Sequence, residues 1–311
     1  MTWTHYDKLG ISLALLAEVV IFAALSPYFL TADNLLNVSL QISVTAIIAV
    51  GMTFVILTGG IDLSVGALVA FTGVVTTSLF TFGLPLALSF PLAILVGVLL
   101  GAASGAFAGF FVVRFNITPF IVTLALMTML RGAAFLYTGG RPIWELPEAF
   151  GTIASARLAG IPLPTLLTAI IFAVAHVLLN YTRFGRAVYA VGGNKEAARL
   201  AGINTNGVLM RVYILCGALA SVSGIILASR VNSGQPNAGL MYELDVIAAV
   251  VVGGTSLFGG RGSIMGTLIG SLLIGVLRNG LNLLNVESYV QQIVVGAVIL
   301  LAVMMDQMRK K

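Results

Sequence analysis

The chain has 311 residues, of which 59% are hydrophobic and only 9% charged, and its mean hydropathy is +1.07. That balance excludes a soluble globular domain, which exposes far more charge, and the long unbroken apolar runs exclude an outer-membrane barrel of alternating strands. The net charge of +5 collects at the ends of apolar runs, so membrane topology accounts for it and nucleic-acid binding does not.

Ten apolar segments approach the length of a membrane helix, about 17–25 residues: approximately 10–28, 39–58, 63–82, 90–113, 119–137, 163–180, 212–229, 244–258, 264–280 and 289–305. The eighth is short, so nine spans plus a re-entrant segment form the alternative. MTWTHYDKLG, ahead of the first, lacks a small-residue cleavage signature, and that first segment reads as a retained span rather than a signal peptide. Short loops rich in Lys and Arg stay in the cytoplasm. With Lys8 inside, ten spans put Arg114, the 181–211 loop, Arg261 and the tail Arg309, Lys310 and Lys311 on that side. Eleven basic residues then lie inside against Arg141, Arg157 and Arg230 outside, with Arg131 and Arg278 inside spans. The expected fold is an all-α polytopic membrane protein of about ten transmembrane helices, one domain over 1–311, with cytoplasmic N- and C-termini.

Along the chain, Glu18 falls in the first span, within reach of a partner such as Arg131 or Arg278. Gly59 and Gly60 end the second span and Asp62 or Ser64 caps the third, making a tight turn at the cytoplasmic face. The turn is either purely structural, or Asp62 senses a partner's movement or belongs to an inner gate. Glycines at four-residue spacing, Gly97/Gly101/Gly105/Gly109 and Gly266/Gly270, predict close helix packing. A shift of 169 residues lays Gly97, Leu99, Gly101 and Asn116 on Gly266, Leu268, Gly270 and Asn285, a possible inverted repeat of the kind transporters use. The external loop at about 138–162, with Arg141, Pro142, Trp144, Glu145, Pro147 and Glu148, is expected to be ordered or to carry a short interfacial helix. Arg131 and Arg278 are costly at membrane depth, and each either serves structure or faces the substrate. Asn232, Gln235, Asn237, Asn279, Asn282 and Asn285 supply neutral hydrogen-bonding groups, with Tyr242 and Tyr289 as aromatic faces. Of these, Arg131, Asn279, Asn282 and Tyr242 are the candidate substrate-pathway residues, against ordinary helix-end polarity. Glu243 and Asp245 read as outward loop acids. His176 stands apart from other metal ligands, so no metal site is expected, and Cys216 reads as a small buried hydrophobe.

The longest polar stretch, 181–211, holds Arg183, Arg186, Lys195, Arg199 and Arg211 against the single acid Glu196. Within it Lys195, Glu196, Ala197, Ala198 and Arg199 favour a short helix, Lys195 to Leu200, that Gly202 can close at positive φ. Such a helix can seat in a groove of another protein; the alternative is a solvated loop. A second glycine-rich turn, GGTSLFGGRG from Gly253 to Gly262, carries Arg261.

GMTFVILTGGIDLSVGALVAFTG (Gly51–Gly73), AVGGNKEAARLAGIN (Ala190–Asn204), YELDVIAAVVVGGTSLFGGRGSIMGTLIG (Tyr242–Gly270) and LRNGLNLLNVESY (Leu277–Tyr289) together resemble the carbohydrate permeases of ribose-type ABC importers over nearly the whole chain. The resemblance implies a multi-pass subunit of the bacterial cytoplasmic (inner) membrane, embedded in lipid and pairing with a second permease copy as a homodimer. It implies an ABC ATPase docked on the 181–211 loop and a periplasmic or extracellular sugar-binding protein. It implies import of a monosaccharide, ribose before other sugars or nucleosides. The chain has no GxxxxGK[ST] sequence, so ATP and Mg belong to the partner ATPase, and no cofactor is expected on this chain. Two other classes stay in view. An ion-coupled secondary transporter needs titratable groups at mid-depth. An intramembrane enzyme needs an HExxH or GxSxG signature, which is lacking here.

Overall fold

The computed structural model describes the backbone of residues 5–308 and the side chains of 10–304 and 307. Lys8 as a topology marker and the basic tail Arg309–Lys311 therefore lie outside what is described. The elements are α1 (His5–Leu25), α2 (Ala32–Leu57), α3 (Val65–Ser78), α4 (Leu86–Arg114), α5 (Pro119–Thr138), α6 (Glu148–Ser155), β1 (Arg157–Leu158), β2 (Ile161–Pro162), α7 (Leu163–Tyr181), α8 (Arg183–Gly193), α9 (Lys195–Leu200), α10 (Thr205–Val231), α11 (Tyr242–Val252), α12 (Ile264–Leu283) and α13 (Ser288–Met308). The chain is a mostly helical, multi-pass membrane protein. Each of the ten apolar segments carries a helix, and among the described residues six of those helices, α2, α4, α5, α7, α10 and α12, are long and apolar enough to cross a bilayer.

Local chemistry sets the boundaries. Thr31 accepts the Asn34 N–H at the start of α2, and Gly59 at φ 78 ends that helix as its N–H returns to Ile56 O and that of Gly60 to Val55 O. Pro119 opens α5, where a missing N–H costs nothing, and Asn232 at φ 48 closes α10. The expected start of the seventh span at 212 moves back to Thr205. The side chain of Asn204 accepts the Gly207 N–H there, so Arg211 lies inside α10 rather than in a loop. The 138–162 loop is ordered as expected: it holds α6 and the antiparallel pair β1–β2, and Ile143 bridges to Gly234.

The bundle is layered around α2 and α10. The apolar window of α2 is 83% buried and that of α10 72%, whereas that of α4 is 22%, so α4, with α5 and α7, shows much of its surface to the surroundings. The glycine series of α4 lies on α10: a Cβ on Gly101 would overlap the Gly217 carbonyl and the Ser221 hydroxyl, and one on Gly217 would overlap the Gly101 carbonyl. Backbones meet this closely only across glycine. Likewise Gly266 and Gly270 of α12 lie against Gly253 and Ala249 of α11.

Two core helices are too short to cross by themselves. α3 has 14 residues and α11 has 11, about 21 Å and 16 Å of helix against a hydrocarbon core of about 30 Å. Non-helical chain adjoins each of them, at opposite ends of the bundle. After Leu57 the chain turns back beside α2, so that Gly60 lies against Val55 and Asp62 reaches Cys216, which faces Gly51. At the other end Gly234 touches Thr77 and Gly73 of α3, whereas Gly239 touches Gly66 and Val69. Residues 234–239 thus descend about 10–15 Å along α3, and α11 starts inside the bundle, about halfway along it.

Candidate functional site

The end of the bundle carrying α8 and α9 (the α9 end) gathers most of the predicted coupling residues. Asn194 caps α9 by accepting the Ala197 N–H at 2.9 Å, and Gly202 at φ 84 ends it, its N–H donating to Arg199 O. Ala198 is buried and anchors the helix, while Lys195, Glu196, Ala197, Arg199 and Gly202 are exposed. Glu196 and Arg199 bridge each other at 2.9 Å in solvent, which contributes little to stability. Leu200 is 81% exposed. This bare leucine on an otherwise polar segment is an apolar surface group that charge patterning drew attention away from.

α8 ends in Gly192-Gly193, one residue before Asn194, and this pair is the seat of the element. A Cβ on Gly192 would overlap the Leu57 carbonyl oxygen and come within 2.6 Å of Gly260 N. The Gly260 N–H itself donates to Leu57 O at 2.9 Å. Gly259 packs on Gly59 N and Gly192 O, and Tyr189 Oη donates to Gly262 O at 2.9 Å; burial pushes the Tyr189 phenol up, so it stays a neutral donor. The two glycine-rich turns, 57–60 and 258–262, and the end of α8 therefore share one backbone junction. A crevice of about 240 Å3 opens beside it, with Gly60, Asn116, Lys195 and Tyr213 in its wall.

Asp62 sits above this junction, and its capping role differs from the expectation. It is 1% exposed. Its Oδ1 accepts the Ser64 N–H at 2.9 Å and the Ser64 hydroxyl at 2.6 Å, and the Cys216 thiol adjoins it. Ser64 holds the N-cap position of α3 in helical rather than extended backbone, at φ −76 and ψ −14, and makes no side-chain cap bond among the described residues; its hydroxyl donates to Asp62 instead. Cys216 is fully buried, as expected, with its thiol beside this carboxylate. Tyr213 Oη lies against Gly60, buried and without a hydrogen-bond partner among the described residues.

The candidate pathway residues are dispersed. Arg131 Nη1 donates to Pro236 O at 2.9 Å and Ala238 O at 2.7 Å, latching the descending segment. Asn279 is buried in a reciprocal amide pair with Asn34, both bonds at 3.0 Å, and Asn282 accepts from Gln291 at 2.7 Å. Tyr242 opens α11, packed against the core. Glu18 pairs with neither arginine: its carboxylate oxygens are buried without a partner among the described residues, and Arg278 is bridged to Asp245. Asp245 is buried rather than an outward loop acid, and Glu243 lies half-buried with its carboxylate against Gly66 at the start of α3. The early onset of α11 draws both acids inward. Asn232 and Asn285, at φ 48 and 55, serve as helix-ending residues. His176 bonds to Asn180 on an exposed surface.

A bundle of glycine-packed membrane helices with two interrupted ones and a polar helical arm describes a transport permease, and the chain belongs to that class. Residues 34–303 match the family described as branched-chain amino acid transport system / permease component. Among individual relatives, the ribose import permease protein RbsC of Escherichia coli strain K12 is 49% identical over 302 residues, covering 96% of this chain and 93% of its own. That of Bacillus subtilis strain 168 is 49% identical over 313 residues, covering 99% and 95%. The D-allose transport system permease protein AlsC of Escherichia coli strain K12 is 38% identical over 307 residues, covering 98% and 93%. No solved structure matches the chain.

Proposed function

We propose that this chain is the membrane-spanning subunit of an ATP-driven importer of a monosaccharide, ribose, in a bacterial cytoplasmic membrane. The observation that carries this reading is end-to-end identity of 49% with ribose import permeases of two bacteria. The α9 end then faces the cytoplasm, where a separate ATPase using ATP and Mg grips α9 through Glu196, Arg199 and the exposed Leu200. A binding protein delivers sugar at the opposite end, and two copies of the chain enclose the path.

In this reading the chain crosses ten times, with both termini cytoplasmic, α3 and α11 each completing their crossing with extended chain. Its two halves form an inverted repeat. α4 ends at Arg114 and α5 begins at Pro119, while α12 ends at Leu283 and α13 begins at Ser288, the same offset of 169 residues. Asn116 and Asn285 take positive φ in the two connecting turns. α10 packs on α3 and α4 of the first half, and α2 packs on α11 and α12 of the second, the exchange expected of halves related by a two-fold axis in the membrane plane. Motion of α9 passes through Gly192 to both turns at once. One turn carries Asp62 and leads into α3; the other joins α11 to α12.

The test is to purify the chain with its ATPase and binding protein and measure ATP hydrolysis. Hydrolysis is expected to rise with ribose-loaded binding protein. A rise with another sugar alone, such as the allose named for one relative, retains the importer class and removes ribose. Transport by the reconstituted chain without any ATPase overturns the ATP-driven reading.

A further inference from the structure

The segment 232–241 is irregular backbone lying well below the end of the bundle, and one side of it is uncovered. Leu240 is 59% exposed, Met241 41% and Leu244 38%. Arg131 and Glu243, both half-buried, flank this ledge, one latched to the carbonyls of 236 and 238 and the other against Gly66. Irregular backbone does not face hydrocarbon, because lipid offers nothing to its N–H and C=O groups; at membrane depth it is buried in protein or lines a water-filled cavity. The exposed apolar helix faces elsewhere, such as Ile170 and Val174 on α7 at 60% and 61%, have no such restriction. Met241 adds a second, independent sign. It stands at φ 67 at the start of α11 without a side-chain cap among the described residues, a conformation that strains a bulky residue and that clusters at functional sites.

We infer that Leu240, Met241 and Leu244, with Arg131 and Glu243 beside them, form the mid-depth wall of the path along which the sugar crosses. The chemistry suits a monosaccharide. The apolar ledge packs on the C–H face of the ring, and the guanidinium and carboxylate exchange hydrogen bonds with its hydroxyls. Binding at such a wall is weak by design, since the ledge is open on one side and the sugar has to leave it. This inference rests on the importer reading for its ligand and on the backbone geometry for its position.

Single-cysteine labelling of the assembled transporter in liposomes separates the two. The wild type, whose one cysteine is buried, is the blank. Leu240→Cys, Met241→Cys and Leu244→Cys are expected to react with a charged, lipid-insoluble thiosulfonate. Ribose-loaded binding protein with ATP and vanadate is expected to change that rate at least about fivefold. Val174→Cys is expected to react only with a lipid-soluble maleimide. The three positions give independent readings should one variant fail to assemble. The inference is overturned if they behave like Val174→Cys, if they are inert and instead form disulfides between two copies, or if ribose leaves their rates unchanged while wild-type hydrolysis is ribose-stimulated. Failure of the importer reading shows separately, as wild-type hydrolysis that ribose-loaded binding protein does not stimulate.

Discussion

Gly192→Ala tests whether the seat of α8 transmits force. The added Cβ would overlap Leu57 O and lie 2.6 Å from Gly260 N, and both groups are backbone, so no side chain can swing aside. Relief requires α8 to move off the turns or the Gly260–Leu57 bond to break. Overpacking of this kind costs about 1–3 kcal/mol, and losing a backbone hydrogen bond adds about 1 kcal/mol, so destabilisation of about 2–4 kcal/mol is expected. Gly193→Ala is the internal control. Its Cβ meets nothing within 4 Å, and replacing a helical glycine by alanine is favourable by up to about 1 kcal/mol. The assay is thermal unfolding of both variants, followed by the ratio of ATP hydrolysed to sugar imported in proteoliposomes. Gly192→Ala is expected to lower the melting temperature and raise the ratio at least about fivefold, with Gly193→Ala close to wild type in both. If the two alanines behave alike, the junction is not the point at which motion enters the helices. Tyr189→Phe, which removes the 2.9 Å bond to Gly262 O, should move the same ratio in the same direction by a smaller factor.

Asp62→Asn keeps an Oδ1 for Ser64 and should insert and assemble normally while import falls at least about tenfold; import at the wild-type rate reduces Asp62 to a cap. Tyr213→Phe removes a buried hydroxyl that has no partner among the described residues, so stability should hold or rise by about 1 kcal/mol, and a loss seen in thermal unfolding would refute that accounting. Asp245→Asn keeps an Oδ1 acceptor for Arg278 but removes the opposing charge at a partly buried site, and should cost about 1–3 kcal/mol, less than for a fully buried pair because Arg278 keeps some solvent. Adding Arg278→Gln should recover part of that loss in the same melt. Glu196→Lys sacrifices only an exposed pair, about 0.3–0.5 kcal/mol, so membrane insertion should be unaffected while ATPase association measured by co-purification drops.

What the sequence made legible follows a physical divide between local and non-local causes. The ends of α2 at Gly59 and of α9 at Gly202 were readable because a left-handed residue announces itself within a few positions. The depth of α11 was not, because nothing in YELDVIAAVVV states that residues 234–239 descend along α3 before the helix begins. That descent depends on Gly239 meeting Gly66 across some 170 positions of chain, and it turns two acids that look like loop residues into interior ones. The same holds for Gly192. Its neighbour Gly193 is chemically identical and adjacent in sequence, yet an added Cβ would strike another backbone at Gly192 and meet nothing at Gly193. Spacing rules find glycines that repeat along one helix face, as in α4, but a glycine that a turn requires from outside its own helix leaves no periodic trace. Function concentrates at just these positions, since movement has to pass between elements that are distant in sequence. Helix α9 was therefore identifiable from local composition, whereas the junction on which α8 is seated became visible only when three separate glycine pairs came together.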